Sequence, residues 1–457
     1  MKVIRYIALS LFAACSLGVA AQTAKSSYFL EGAFHNSQLN PAMAGERSFV
    51  SFPLLGNLMV GANSNVGLSN FLFPQPNGRL ATFMSGNVTP DQFLNAMPST
   101  ARMGIDMDMT LAALGIRAFG GYTTFNVAFH GQTSIGIPKD IFKFAKTGFK
   151  TEPYSFSGIN MNLMSYMAVT LGHSREIIDG LRVGVNLKYL MGLAYADVLM
   201  DKFTLETSEE RWMVEAHAQA RLATFMEMKL AEGDEFDMEN MEMTSFTPSA
   251  SGFAVDLGAT YDMKNLVPGL KLSASVTDVG YIKWSMIKGN TESVKLEYTG
   301  LEEIDMENVG EQVEEQLDEI MSSAEEMLEF QVDDMQEEKT WLGATMYLGV
   351  EYEMPFYQSL SVGLLYGQRF SKYTGWNDVR GYLNISPLGW LEASTNVSFS
   401  TFGTSLGWMF NFHPAGFSFF VGSDYMVTKV NPQFIPINEM NTNITLGVNI
   451  PLGKKVK

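Results

Sequence analysis

Apolar and polar residues alternate with a period of two along much of this chain, and this alternation limits its fold more than any other feature. The octapeptide RVGVNLKY (182–189) places valine, leucine and tyrosine on one side and arginine, glycine, asparagine and lysine on the other. The same pattern recurs over 252–261, 270–277 and 443–450. Strands of this kind have one apolar face and one face of small or polar residues, so we expect an all-β fold.

Two all-β architectures produce such strands: a soluble sandwich, as in a secreted adhesin, and a transmembrane barrel. In the sandwich the apolar face points into the core, whereas in the barrel it points to lipid and the polar face lines the lumen. Many of the alternating segments span about 9–13 residues, which suits a tilted strand that crosses a bilayer better than a short sandwich strand. Aromatic residues also recur near strand ends, as in interfacial girdles: Tyr281, Trp284, Trp341, Tyr352, Phe356, Tyr366, Phe370, Trp390, Trp408 and Phe412.

The lengths of the connections also favour a barrel. Outer-membrane barrels have short periplasmic turns and longer external loops. In the C-terminal half, short turns are expected at 262–269, 354–356, 386–389 and 413–416, with longer loops on the other side. We therefore predict a transmembrane antiparallel β-barrel of about 14–16 strands, with an even strand number.

The predicted wall begins near residue 47. Its strands are expected at about 47–61, 111–118, 122–135, 162–173, 181–192, 197–206, 210–222, 251–261, 269–284, 341–353, 358–370, 378–386, 389–400, 405–413, 416–427 and 442–451.

Two acidic segments, 227–242 and 301–339, fall on the long-loop side. The second contains sixteen carboxylates and one lysine, and this accounts for most of the net charge of −18. Its apolar residues follow helical spacing: Val313, Leu317, Ile320, Met321, Ala324 and Leu328. We expect an acidic, partly helical external insertion, with a solvated acidic loop as the alternative.

The first 21 residues resemble a secretory signal peptide. Lys2 and Arg5 precede an apolar stretch, and the small residues before Gln22 indicate cleavage after Ala21. The single cysteine, Cys15, lies in this leader. A mature chain cut after Ala21 therefore has no thiol chemistry and no disulfide; lipidation of Cys15 is the alternative.

The sequence has no pattern of a catalytic or cofactor site. Its five histidines are scattered, without a zinc motif, and the acidic segments lack a calcium-binding pattern. It has neither a G-x-S-x-G element nor a phosphate-binding glycine motif, and its negative charge argues against nucleic-acid binding. We expect no enzyme activity, no cofactor and no metal; a barrel enzyme that uses His130 or His173 is the minor alternative.

Polar-face residues of the strands are the candidate lumen contacts. The candidates are Arg182, Asn186, Lys188, Asp256 and Lys271. Because an unpaired charge inside a packed barrel is costly, we expect them to satisfy one another, to bind a plug or to contact a permeant.

Several stretches resemble known outer-membrane proteins. The segment QLNPAMAG (38–45), with Asn40, Pro41 and Ala42, resembles the Asn-Pro-Ala segment of FadL-type proteins, the long-chain fatty-acid transporter family. With SYFLEG, FPLLGNLMVGANSNVGLS (52–69), LKYLMGLAYA (187–196) and the stretch from GFAVDLGATYDM to DVGYIKW (252–284), the chain looks like an uncharacterised Bacteroidota family of FadL-like barrels.

The resemblance implies a domain plan and a function. After the signal peptide at 1–21, residues 22–46 would form a plug in the lumen, and 47–457 would form the barrel in outer-membrane lipid. The protein would take up or bind small hydrophobic molecules, which leave FadL-type barrels through a lateral opening. The acidic insertion departs from the transporter family, so the alternative is a non-transporting barrel that anchors surface proteins, or helps secrete them, through its external loops.

Overall fold

The computed structural model describes residues 24–43, 45, 47–148, 153–207, 212–224, 250–291, 294–298, 330–332, 335–372, 374–426 and 441–453. The predicted signal peptide, its cleavage site and the acidic segment 227–242 lie outside these residues.

The described residues form one antiparallel sheet of fourteen strand positions that closes on itself. The strands are β1 (Ser48–Ser51 and Leu58–Ser64), β2 (Thr100–Ala118), β3 (Gly121–Pro138), β4 (Ile159–Ile178), β5 (Leu181–Thr207), β6 (Trp212–Thr224 and Ala250–Asp262), β7 (Leu270–Thr291 and Val294–Tyr298), β8 (Phe330–Val332, Gln336–Trp341 and Ala344–Glu353), β9 (Leu360–Phe370), β10 (Trp376–Leu388), β11 (Leu391–Ser400), β12 (Gly403–Phe412), β13 (Ser418–Met426) and β14 (Thr442–Leu452). Because β1 pairs with both β2 and β14, the sheet has no free edge. The predicted fold class is confirmed.

The apolar face of the wall points outward. Val183, Leu187 and Phe253 are exposed on the outside, whereas Asn186 and Asp256 are buried on the inside. This is the arrangement of a barrel whose outer face meets acyl chains and whose lumen is polar. The alternative of a soluble sandwich, in which the apolar face would be buried, is wrong.

The short turns lie at one end of the barrel, as predicted. In addition to the four expected turns, a two-residue turn, Phe119 and Gly120, joins β2 to β3 at this end. The opposite end carries the long connections, but two links there, 371–375 and 401–402, are also short. Connection length therefore identifies the turn end more reliably than the loop end.

Several predicted boundaries differ from the structure. The separate strands expected at 181–192 and 197–206 are one strand, β5, and those expected at 210–222 and 251–261 share one strand position, β6. The end of the predicted insertion 301–339 lies in β8, which contains 330–332 and 336–341. The proposed helical stripe between 313 and 328 lies outside the described residues.

A small folded cap follows β1 at the long-loop end. It contains a hairpin (Leu72–Pro74 and Leu80–Thr82) and helix α1 (Pro90–Ala96), and helix α2 (Lys139–Thr147) follows β3. Thr89 caps α1 by accepting a hydrogen bond from the Gln92 amide. The described part of the chain contains no helix that is both long and apolar enough to cross a membrane.

Candidate functional site

Residues 24–43 lie inside the ring of strands, against its polar face. The segment is almost entirely buried. It exchanges hydrogen bonds with strands around the ring: with Asn186, Ser275, Asp378, Glu392, Asp424 and Asn449. These contacts place the described part of the predicted plug, 22–46, in the lumen; its role as a plug stays a prediction.

The segment begins towards the long-loop end of the lumen, where Lys25 is held. Its ammonium lies 3.3 Å from the Asp378 carboxylate and donates to the Tyr425 hydroxyl at 3.0 Å. It also lies 3.4 Å from the ring centroid of Trp376. A buried ammonium with an anionic, a neutral and an aromatic partner is well compensated.

The backbone around Lys25 is fixed by Asp424. This carboxylate accepts from the amides of Lys25 at 3.0 Å and Ser26 at 2.6 Å. Arg380 lies between the two acids, 2.8 Å from Asp378 and 3.5 Å from Asp424. Two cations and two carboxylates thus neutralise one another where the segment enters.

At the turn end, the segment reverses at Gly32. The Gly32 amide donates to both oxygens of Glu392, at 3.1 Å each. The adjacent Glu31 pairs with Lys271 at 2.6 Å, and Lys271 also pairs with Glu353 at 2.7 Å. The predicted lumen residue Lys271 therefore lies at the mouth of the barrel, where it holds the bend of the segment.

The Asn-Pro-Ala motif forms a turn against β6 and β7. The Asn40 side chain donates to the carbonyls of Ala259 and Ala274 at 3.3 Å, while its own oxygen accepts from the Ala42 amide at 3.0 Å. Pro41 lies over Gly184 on β5. The motif therefore contacts three strands, two through the Asn40 amide and one through Pro41.

Three of the predicted lumen residues meet deeper in the barrel. Lys188 lies 2.9 Å from Asp256 and 2.7 Å from Asp278. Asn186 donates to Asp256 at 2.9 Å and to the Ser37 carbonyl at 3.1 Å. Arg182 is not part of this group, because its nearest acid is Glu176 near the turn, at 3.9 Å.

Sequence reasoning missed the acidic and basic residues that hold the start of the segment. Asp378 and Arg380 alternate with Val379, Gly381 and Leu383 along β10, so their inward direction could have been found from the same two-residue period. Their partner Lys25 could not, since 353 positions separate it from Asp378.

His35 is a buried neutral contact between the segment and the wall. Its Nε2 lies 3.1 Å from the Asn449 side-chain oxygen. Burial lowers the pKa of His35 from its ordinary 6.5 to about 4, because the charged imidazolium would lose its hydration. The docked segment therefore favours the neutral ring.

A cavity of about 90 Å³ lies between the segment and the wall. Phe34, His35 and Leu39 contribute to one side, and ionisable wall residues line the other: Asp106, Asp108, His130, Lys188, Asp278 and Arg369. His130 is hydrogen-bonded to Asp108 and stacks on Tyr166. The cavity thus combines aromatic and charged surfaces.

Arg369, which lines this cavity, reaches across the lumen. It lies on β9 and donates to Gln132 of β3, at 2.7 Å. The two strands are six positions apart in a ring of fourteen, so the bond joins nearly opposite walls. Among the described residues, no group of three or more His, Cys, Asp or Glu could hold a metal ion. The site offers ionic and aromatic contacts.

Comparison with known proteins identifies a family. A model described as a family of unknown function, DUF5723, matches residues 41–424. No curated protein matches the chain.

Several solved structures are similar over nearly the whole chain at low sequence identity. The Pseudomonas putida toluene transporter TodX is 7% identical with a TM-score of 0.42 and covers 96% of each chain. The Ralstonia pickettii toluene transporter TbuX is 9% identical with a TM-score of 0.44, covering 92% of this chain and 94% of that one. A Pseudomonas aeruginosa FadL homologue is 8% identical with a TM-score of 0.43, covering 94% and 96%.

Proposed function

The chain belongs to this family of unknown function, and we propose that it is an outer-membrane barrel that takes up small hydrophobic or amphiphilic molecules and releases them sideways into the membrane. One observation carries the proposal: the first wall strand is interrupted at residues 52–57, beside the lumen segment. The interruption offers a place where a molecule could leave the lumen without crossing the turn end.

The interruption is large for a wall strand. Ser51 pairs with Asn449 and Leu58 with Leu446, so six residues, 52–57, face only Val448 and Gly447. Leu54 has a φ of 63°, which a leucine rarely adopts. Strain of this kind persists where the surrounding structure imposes it, and it often marks a functional position.

The first four residues of the interruption, 52–55, are apolar and exposed on the outside of the barrel. Phe52 and Leu54 are about half exposed, at 48% and 55%, and Leu55 is also exposed. A hydrophobic molecule that reaches this point would pass from protein to acyl chains without meeting water, which avoids the cost of apolar hydration.

The cavity reaches β1 at Phe49, three residues before the interruption. Phe34 of the segment stacks on Phe49 of β1, with centroids 4.7 Å apart, and both line the cavity. Ser51, the last residue before the interruption, accepts from the Ala113 amide at 2.6 Å. We propose that displacement of Phe34 connects the cavity to the interruption, with residues 22–46 acting as the plug that controls this route.

Uptake of dodecanoate into proteoliposomes tests the proposal. Deleting 53–56 would leave Phe52 and Asn57 opposite Val448 and Gly447, and so would restore regular pairing with β14. We expect the full chain to take up dodecanoate and the deletion to abolish uptake while the barrel keeps its heat-modifiable mobility in gels. Deletion of 76–78 in the cap hairpin is the control and should leave uptake unchanged.

Two results would overturn the proposal. Full uptake by the 53–56 deletion variant would show that the interruption is not the exit. Absence of uptake by the unaltered chain would favour the barrel that anchors surface proteins.

A further inference from the structure

The cavity between segment and wall contains two opposite charges, Asp106 and Arg369, neither of which has an ion-pair partner within 4 Å among the described residues. Among the described residues, Asp106 has only a neutral partner, Asn63, whose amide donates to it at 2.7 Å. Arg369 likewise has only Gln132 as a partner. The Nε of Arg369 is buried and has no hydrogen-bond partner in the described structure.

Other buried charges in the lumen have ion-pair partners. Lys188 lies between Asp256 and Asp278, and Arg380 lies between Asp378 and Asp424. A charge taken out of water is costly unless it is paired. Asp106 and Arg369 depart from this rule, and both line the same cavity.

We propose that this cavity binds the zwitterionic head of an amphiphile, with its ammonium on Asp106 and its carboxylate on Arg369. The proposal rests on the proposed function for the fate of the tail, which would extend past Phe34 and Phe49 towards the interruption at 52–57. The cavity of about 90 Å³ has the volume of about three water molecules, which suits the head alone.

The charge pattern discriminates between classes of ligand. A fatty acid would pair with Arg369 and leave Asp106 without an ion pair, and an alkylamine would do the reverse. A hydrocarbon would leave both charges unpaired. The absence of a metal-binding group within the described ranges disfavours a bare divalent cation. A zwitterion satisfies both groups, and a guanidinium pairs with a carboxylate through two parallel hydrogen bonds, one of which can use the free Nε.

Four probes with the same twelve-carbon chain separate these classes: 2-aminododecanoate, dodecanoate, dodecylammonium and dodecanol. Their dissociation constants would be measured by calorimetry with the whole protein in lipid nanodiscs. We expect 2-aminododecanoate to bind at least about ten-fold more tightly than each of the others, since each lost ionic contact costs on the order of a kcal/mol or more.

Two substitutions test which wall charge binds which group of the ligand. D106N retains the size of the side chain and should bring 2-aminododecanoate down to the affinity of dodecanoate. R369Q should bring it down to the affinity of dodecylammonium. The matched controls are D179N and K264Q, which break an exposed turn pair and should leave the ranking of the four probes unchanged.

A ranking that follows chain hydrophobicity alone, with dodecanol equal to the zwitterion, would overturn the proposal. So would a zwitterion preference that survives both D106N and R369Q. The binding measurement requires no transport. If uptake fails but the expected affinity ranking of the four probes is observed, only the lateral route is contradicted. If uptake succeeds but the probes do not show that ranking, only the zwitterion site is contradicted.

Discussion

Asn40 and Gly258 are in such close contact that a β-carbon on Gly258 would overlap the side-chain oxygen of Asn40. Gly258 pairs with Gly184 across β5 and β6, and a β-carbon on Gly184 would overlap the carbonyl of Pro41. The Asn-Pro-Ala turn thus rests on a pair of glycines in the wall. Absence of side chains at these two positions lets the lumen segment approach the strands.

Gly258→Ala should loosen the segment without opening the wall. The added methyl group displaces Asn40 from the carbonyls of Ala259 and Ala274, and overpacking of this kind costs about 1–3 kcal/mol. We expect faster hydrogen exchange over 24–43, measured by mass spectrometry, with unchanged exchange in β5 and β6.

Gly381→Ala is the matched control, because a β-carbon there meets nothing within 4 Å. Equal exchange in the two variants would show that the glycine pair does not hold the turn.

Lys25→Met should release the start of the segment. The substitution removes the ammonium from Asp378, Tyr425 and Trp376 but keeps a long apolar side chain. Asp378 retains Arg380 as a partner, so we expect a loss of about 2–3 kcal/mol in docking, below the range for a completely broken buried pair. The protease sensitivity of the N-terminal segment in the folded barrel measures this loss of docking free energy.

A double-mutant cycle with Asp378→Asn isolates the pair from the rest of the network. Additive effects of the two substitutions would contradict a direct Lys25–Asp378 interaction. Lys264→Met, at an exposed turn, controls for the loss of a positive charge.

The strands were largely predictable because the physics that defines them is local. Strand β14 was expected at 442–451 and lies at Thr442–Leu452, since its alternation is unbroken. Strand β5 was wrongly divided because its pairing with β4 shifts register opposite Leu193. An extra residue of this kind moves all later side chains to the other face. In the sequence, the resulting break in the alternation of apolar and polar residues looks like the end of a strand.

The candidate site was less predictable because its contacts are not local. The inward direction of Asn186, Lys188 and Asp256 followed from alternation, but their distance from Arg182 depends on the height of each residue in the barrel. The link between Arg369 and Gln132 crosses 237 positions of sequence. Only the tilt and closure of the strands determine which inward residues face one another.

Acid should weaken docking of the segment through His35. Its pKa is about 4 in the docked state and 6.5 ordinarily, so the released segment binds the proton more readily. Docking is therefore at full strength above pH 6.5 and weakens as the pH falls towards 4, by about 1.4 kcal/mol per pH unit. Hydrogen exchange of 24–43 measured across this range checks the slope.

His35→Gln cannot take up a proton, although it can still donate to Asn449. We expect its docking to show a flatter dependence on pH between 4 and 6.5. The same slope in both proteins would assign the acid sensitivity to other groups.

Deletion of 24–43 should open the barrel along its axis. The segment contributes the contacts that fill the lumen between Lys25 near the long-loop end and Gly32 at the turn end, and the wall closes without it because β1 begins only at Ser48. We expect the deleted chain to form barrels with a stable ionic conductance in planar bilayers, whereas the full chain conducts little. Gly258→Ala should give brief openings between these extremes, since it loosens the segment without removing it. Equal conductance of the full and deleted chains, with both shown to be folded by heat-modifiable mobility, would mean that the segment does not close the lumen.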